Sequence, residues 1–150
     1  MTQIDTRAAL PADIPDLLAM VERLAVHHGD TPGVSEASLH RDLFGADPWL
    51  VVLLARHDGR PMGYAALFGT AYLHFGARGM ELHHLFTEAE ARGLGVGQAL
   101  IGASVALARD RGCTFMTVGT HPENLAAQAF YPKLGFERRD GAGPRFLLRL

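Results

Sequence analysis

Residues 80–100 read MELHHLFTEAEARGLGVGQAL, and the punctuation of this stretch decides the fold. An apolar run that suits a strand ends near Phe86. It is followed by a glycine-rich turn, Arg92-Gly93-Leu94-Gly95-Val96-Gly97, and then by small residues that suit a helix. Glycines let a backbone turn tightly and approach a ligand closely, and the free N–H groups and positive dipole end of the helix that follows favour an anion. The guest that suits such a turn best is a phosphate.

Working outward, a chain of 150 residues with 48% hydrophobic and 20% charged residues has the size and balance of one globular domain, residues 1–150. The net charge of −2, without blocks of like charge, marks no nucleic-acid-binding face and no patch for an anionic membrane, so small molecules are the expected partners. The opening MTQIDTRAAL lacks a basic region followed by an apolar run. The longest strongly apolar segment, residues 49–55, is too short to span a bilayer. One cysteine, Cys113, excludes an internal disulfide framework and suits a buried thiol; the expected location is the cytoplasm.

Periodicity orders the remaining elements. Residues 3–9 alternate as a strand, and a helix from Asp13, with Asp16 three positions on as a capping pair, carries the stripe Ile14, Leu17, Leu18, Val21, Leu24 and Ala25. Ser35 caps a short helix that stops at Gly45. Residues 49–56 and 62–68 flank His57-Asp58-Gly59-Arg60, a tight-turn signal for a hairpin, and residues 80–86 complete an antiparallel meander. A helix over 96–111 and a strand over 113–120 then make a strand–helix–strand unit, a right-handed parallel crossover whose ligands sit beyond the strands' carboxyl ends. A helix over 122–134 follows, and residues 136–139 and 146–150 read as a last hairpin across Gly141-Ala142-Gly143-Pro144.

The glycine turn is no P-loop, since no Gly-Lys-Ser/Thr ends it, and it lacks the Gly-x-Gly-x-x-Gly spacing of a dinucleotide site. A second stretch, NLAAQAFYPKLGF at residues 124–136, discriminates further. Asn124, Ala127 and Tyr131 stack on one helical face, beside an apolar stripe of Ala126, Phe130 and Leu134. Together the two stretches resemble the GNAT superfamily of acyl-CoA-dependent N-acyltransferases. Its nucleotide motif R/Q-x-x-G-x-G/A is matched by Arg92, Gly95 and Gly97, and its N-x-x-A-x-x-F-Y-x-K-x-G-F motif is matched almost completely. Pro132 departs from that pattern, where a charged or polar residue is usual, and lacks the N–H that would bond the Gln128 carbonyl.

The resemblance implies an α/β fold with a mixed, mostly antiparallel sheet of about seven strands, one parallel crossover and flanking helices. It also implies acetyl-CoA as donor, bound through Leu85, Phe86 and Thr87, through Arg92 and the amides of Gly93, Leu94, Gly95, Val96, Gly97 and Gln98, and through Asn124 and Tyr131. An alkylammonium, with a pKa of about 10.4, must lose a proton before it can attack a thioester, and the departing thiolate needs one. The resemblance gives the acid's role to Tyr131 and the base's to His83 or Glu81. Alternation along a strand puts Glu81 and His83 on one face, and Leu82 with a core His84 on the other. Eight histidines show no metal-ligand spacing, so no metal is expected.

Within the superfamily the chain looks like the diamine and polyamine acetyltransferase branch. His83-His84 stands where that branch has Glu-Asp, which removes the counter-charges a polycation needs. The expected reaction is acetyl transfer to the primary amine of a small molecule. A non-catalytic acyl-CoA-binding module and a modifier of protein N-termini or lysines are the rivals, and the family allows a homodimer.

Overall fold

A computed structural model describes residues 3–141 and 143–150. The chain divides into two compact units, Met1–Val118 and Gly119–Leu150.

The first unit is built on a five-stranded sheet in chain order: β1 (Ile4–Ala8), β2 (Val51–His57), β3 (Arg60–Tyr72), β4 (Ala77–Thr87) and β5 (Phe115–Val118). The first four strands pair antiparallel, and β4 pairs with β5 in parallel. The β2–β3 turn forms where Asp-Gly predicts it, with Asp58 at φ 51° and Gly59 at φ 80°, the left-handed pair that a two-residue hairpin requires.

Alternation sends the strand residues to two cores. One face, through Val52, Leu54, Tyr64, Ala66 and Phe86, packs under α1 (Ile14–His27) and α2 (Glu36–Leu39), which contribute Ile14, Leu17, Met20, Leu24 and Leu39. The other face lies under α3 (Val96–Asp110), the crossover helix between β4 and β5, which buries Val96, Leu100, Ile101 and Ala108. Ser35 caps α2 as expected, its hydroxyl accepting the Ser38 N–H at 3.1 Å. That helix runs on into a π turn, His40–Phe44, before Gly45.

Asp13 does not cap α1. Its carboxylate takes two hydrogen bonds from Arg7, at 2.6 and 2.9 Å, and one from the Leu10 N–H at 2.7 Å. The Arg7 guanidinium is the main cause that holds the Asp13 pKa below the usual carboxylate range. A charged partner on β1 outcompetes the helix amides for the same oxygens.

The second unit holds α4 (Leu125–Lys133), capped by Asn124, whose side chain accepts the Ala127 N–H at 3.0 Å. Pro132 sits in the last turn, and Gly135 at φ 95° ends the helix. The expected terminal hairpin is not formed. Residues 136–141 and 143–150 carry no strand, so the sheet has five strands and not about seven. Ala142 of the expected turn lies outside the described residues. An isolated two-stranded hairpin is marginal without apolar burial, and here Phe146 is 94% exposed and Leu148 81%. The charged run before it folds on itself instead, with Arg138 bonded to Asp140 at 3.1 Å.

Candidate active site

Strand β4 passes from one kind of site to another along its length. Its pairing with β5 runs from Gly79 opposite Phe115 to Leu82 opposite Val118 and stops there. The edge of β4 from His83 to Thr87 therefore has no strand beside it among the described residues, and backbone groups that a ladder would consume become available to a ligand.

The same point carries a bulge. On the β3 side Leu82 pairs with Leu67 and His84 with Ala66, so His83 is an extra residue without a partner. The bulge resets the alternation. Leu82 faces α3, while His84, opposite Ala66, joins Phe86 on the α1 face; Glu81, opposite Phe68, lies on that face too. The His83 ring stacks on His84 at 4.2 Å and 14°, and lies 5.7 Å from the Phe68 ring. Glu81 and His83 thus share a face as expected, but His84 shares it with them rather than lying opposite. Strict alternation cannot predict this, because one inserted residue inverts everything beyond it.

Two of these groups have hydrogen-bond partners. Glu81 accepts a hydrogen bond from the hydroxyl of Thr117, its neighbour on β5. His84 Nδ1 and the Tyr64 hydroxyl share a hydrogen bond of 3.1 Å. Burial, and then the proximity of His83 and His28, pushes the His84 pKa down to about 4, so this ring is neutral at physiological pH. Burial likewise pushes the Tyr64 phenol well above its ordinary value, so it keeps its proton. His28, at the end of α1, thus belongs to the neighbourhood of His84. Tyr64, Thr117 and Phe68 complete the group, and no local sequence signal links them to it.

At the other end of β4 the chain turns through Ala89–Ala91 into the glycine segment. Gly93 at φ 80° and Gly95 at φ 85° both need the left-handed region, and a Cβ at either would meet open space. The amides of Gly93, Gly95, Val96, Gly97 and Gln98 have no protein acceptor among the described residues, whereas Leu94 bonds Ala91 and Ala99 bonds Gly95. Five unpartnered N–H groups at the start of a 15-residue helix form a ready anion site. Arg92 precedes them, exposed. The segment is pinned to α1 by Arg23, which holds Glu88 at 2.5 and 2.8 Å, while the Glu88 N–H bonds the Met62 carbonyl.

In the second unit the Tyr131 ring meets Phe130 at 5.3 Å and Phe136 at 5.5 Å, both edge-on, and burial raises its phenol pKa. Asn124 spends its side-chain oxygen on the α4 cap, which leaves its amide N–H groups as donors. His121 accepts the Glu123 N–H at 3.1 Å, a local turn bond. Among the described residues no group of three or more His, Cys, Asp or Glu side chains is placed to hold a metal, and no helix is long and apolar enough to cross a membrane.

A row of unpartnered amides thus opens the crossover helix, and the two parallel strands that this helix joins part at a bulge. The chain belongs to the acetyltransferase (GNAT) family, which it matches over residues 18–136. It is 37% identical over 91 residues to an uncharacterized N-acetyltransferase of Mycobacterium tuberculosis, 61% of this chain and 55% of that protein; it spans little more than half the length of such relatives. It is 28% identical over 144 residues to the thialysine N-epsilon-acetyltransferase of Sus scrofa, covering 90% of this chain and 85% of that one. Among solved structures, an aminoglycoside N-acetyltransferase, AAC(6')-Iy, in complex with CoA superposes with a TM-score of 0.81 at 21% identity, over 98% of this chain and 96% of that one.

Proposed function

We propose that residues 1–150 act as a single GNAT domain in the cytoplasm that transfers acetyl from acetyl-CoA to the primary amine of a small molecule by direct attack. The observation that carries this reading is the row of unpartnered amides at Gly93, Gly95, Val96, Gly97 and Gln98, beside a β4 edge left unpaired from His83 to Thr87. The amides suit a pyrophosphate, and the free edge suits the extended, amide-bearing arm that joins it to a thioester.

Acetyl-CoA supplies the activated acyl group; the chain supplies proton management and charge stabilisation. Glu81 or His83 takes a proton from the ammonium, directly or through water, which frees the lone pair that attacks. A backbone N–H of Leu85 or Phe86, on the splayed edge, stabilises the negative charge that gathers on the thioester oxygen. Tyr131, whose raised pKa keeps the phenol protonated, delivers a proton to the sulfur as the thiolate leaves, and the second proton shed by the acylated nitrogen restores the phenol. Asn124 N–H groups and the Arg92 guanidinium add contacts to CoA.

Thiol release from acetyl-CoA across a panel of amines and peptides tests this. Amine-dependent release, with small amines preferred over peptides, is the expected result. Binding of CoA without release on any acceptor would make the protein a sensor, and preference for peptides would move it to protein modification.

A further inference from the structure

A cleft of the first unit lies on the same sheet face as Glu81, between the π turn His40–Phe44, the residues that lead into β2 and the second half of β3. It is open to solvent, has a volume of about 730 Å³ and is walled by Arg41, Asp42, Asp47, Trp49, Leu50 and Phe68.

Its chemistry is uneven. The Asp42 carbonyl accepts both the Trp49 N–H at 2.8 Å and the Leu50 N–H at 3.0 Å, which fixes the backbone at this corner. The indole of Trp49 is nevertheless 77% exposed. A held but uncovered indole is a large apolar surface, in the setting where aromatic side chains serve as recognition surfaces. Leu50 and Phe68 continue the apolar wall. At the mouth Arg41 binds Asp42 through two hydrogen bonds, 2.8 and 3.0 Å, so these charges cancel, while Asp47 has no ion pair among the described residues. Arg111 lines the adjoining recess against the same Trp49 and Phe68, so Asp47 does not leave this region net negative. What the cleft offers is a predominantly apolar, aromatic wall, without the successive carboxylates that a chain of ammonium groups would need.

Phe68 connects this cleft to the proposed chemistry. It stands opposite Glu81 in the ladder, and its ring lies 5.7 Å from that of His83. An amine nitrogen held at Glu81 or His83 is therefore one aromatic ring away from the cleft.

We infer that the acceptor is a primary amine borne on a flat apolar body, an arylalkylamine, whose body rests against Trp49 and Phe68 while its nitrogen reaches Glu81 and His83. This rests on the acetyltransferase reading above. Trp49 is the single tryptophan of the chain, so its fluorescence reports occupancy without any turnover.

Phenethylamine, methylamine and spermidine should be titrated against Trp49 fluorescence at fixed ionic strength, with and without CoA. The expected result is a saturable change with phenethylamine at a dissociation constant at least about tenfold below those of the other two, the gain that one buried aromatic body gives. No saturable change with phenethylamine in either condition, or tighter saturation by spermidine, would overturn the inference. In thiol-release assays Trp49→Leu, at an exposed position, should raise the KM for phenethylamine about tenfold and leave those for methylamine and acetyl-CoA unchanged. An equal change for all amines would also overturn it. The two readings fail separately: saturable phenethylamine binding with no thiol release on any amine upholds the cleft and removes the acetyltransferase, whereas release with no preference for phenethylamine upholds the acetyltransferase and removes the cleft.

Discussion

The segment from Glu81 to Gln98 uses its backbone in two contrasting ways. At residues 93–98 side chains are minimal and N–H groups are free, so recognition rests on the main chain. At residues 81–84 the ladder with β3 takes up Glu81, Leu82 and His84 but not the bulged His83, and the information lies in side chains sorted by that bulge. A main-chain site tolerates variation in side chains but not in conformation or local charge, since its N–H groups keep their aim only while the turn keeps its backbone angles. A side-chain site behaves oppositely, because its geometry depends on register and its chemistry on which polar residue occupies each place. Changes at the turn should therefore alter affinity for acetyl-CoA and spare the chemistry, whereas changes at the bulge and at Tyr131 should alter chemistry and spare affinity.

The sharpest way to break that contrast is Gly95→Glu, which forces a side chain into a φ of 85° and puts a carboxylate among amides aimed at a phosphate. Acetyl-CoA affinity by calorimetry should fall at least about 100-fold. Gly95→Asn, which tolerates the left-handed region and adds no charge, should lose far less. Equal affinity in Gly95→Glu and wild type would remove the turn from cofactor binding.

Next in size is Tyr131→Phe, expected to lower kcat about 100-fold, the usual worth of a positioned acid, with acetyl-CoA affinity within a factor of about three. A wild-type rate would take Tyr131 out of the chemistry.

His83→Ala should lower kcat by less than Tyr131→Phe does, with the cofactor dissociation constant unmoved. An unaltered rate would transfer the base's role to Glu81 or to water.

The smallest effect is one of stability. His84 has a folded pKa of about 4 against an ordinary value near 6.5. Between these values the unfolded chain binds the extra proton, so folding stability falls as pH drops from about 6.5 toward 4. Allowing for solvent screening of its partly exposed ring, the loss is about 1–2 kcal/mol. His84→Gln, which can still bond the Tyr64 hydroxyl, should lose that part of the pH dependence in urea titrations. An identical slope in both proteins would place His84 in solvent rather than on Tyr64.

How much of this was legible beforehand follows from the range of the forces involved. The Asp58-Gly59 hairpin, the Ser35 cap and the glycine turn are local, and each was readable because the residues that set the conformation are adjacent in the chain. The terminal hairpin over 136–150 also looked local, but its strands needed apolar burial that Phe146 and Leu148 do not find. Asp13 carried a capping signature, yet Arg7, six residues earlier, took its carboxylate. The position of His84 was out of reach, because the bulge that turns it toward Tyr64 depends on how β3 and β4 share their hydrogen bonds. The same holds for the cleft at Trp49 and Phe68, whose walls come from three elements.

The most direct test of the account is backbone amide NMR during titration with CoA. The amides of Gly93, Gly95, Val96, Gly97 and Gln98 should show the largest shift changes and slowed hydrogen exchange, as each gains an acceptor it now lacks. Shift changes confined to other segments, or CoA binding that leaves these five amides unmoved, would contradict it.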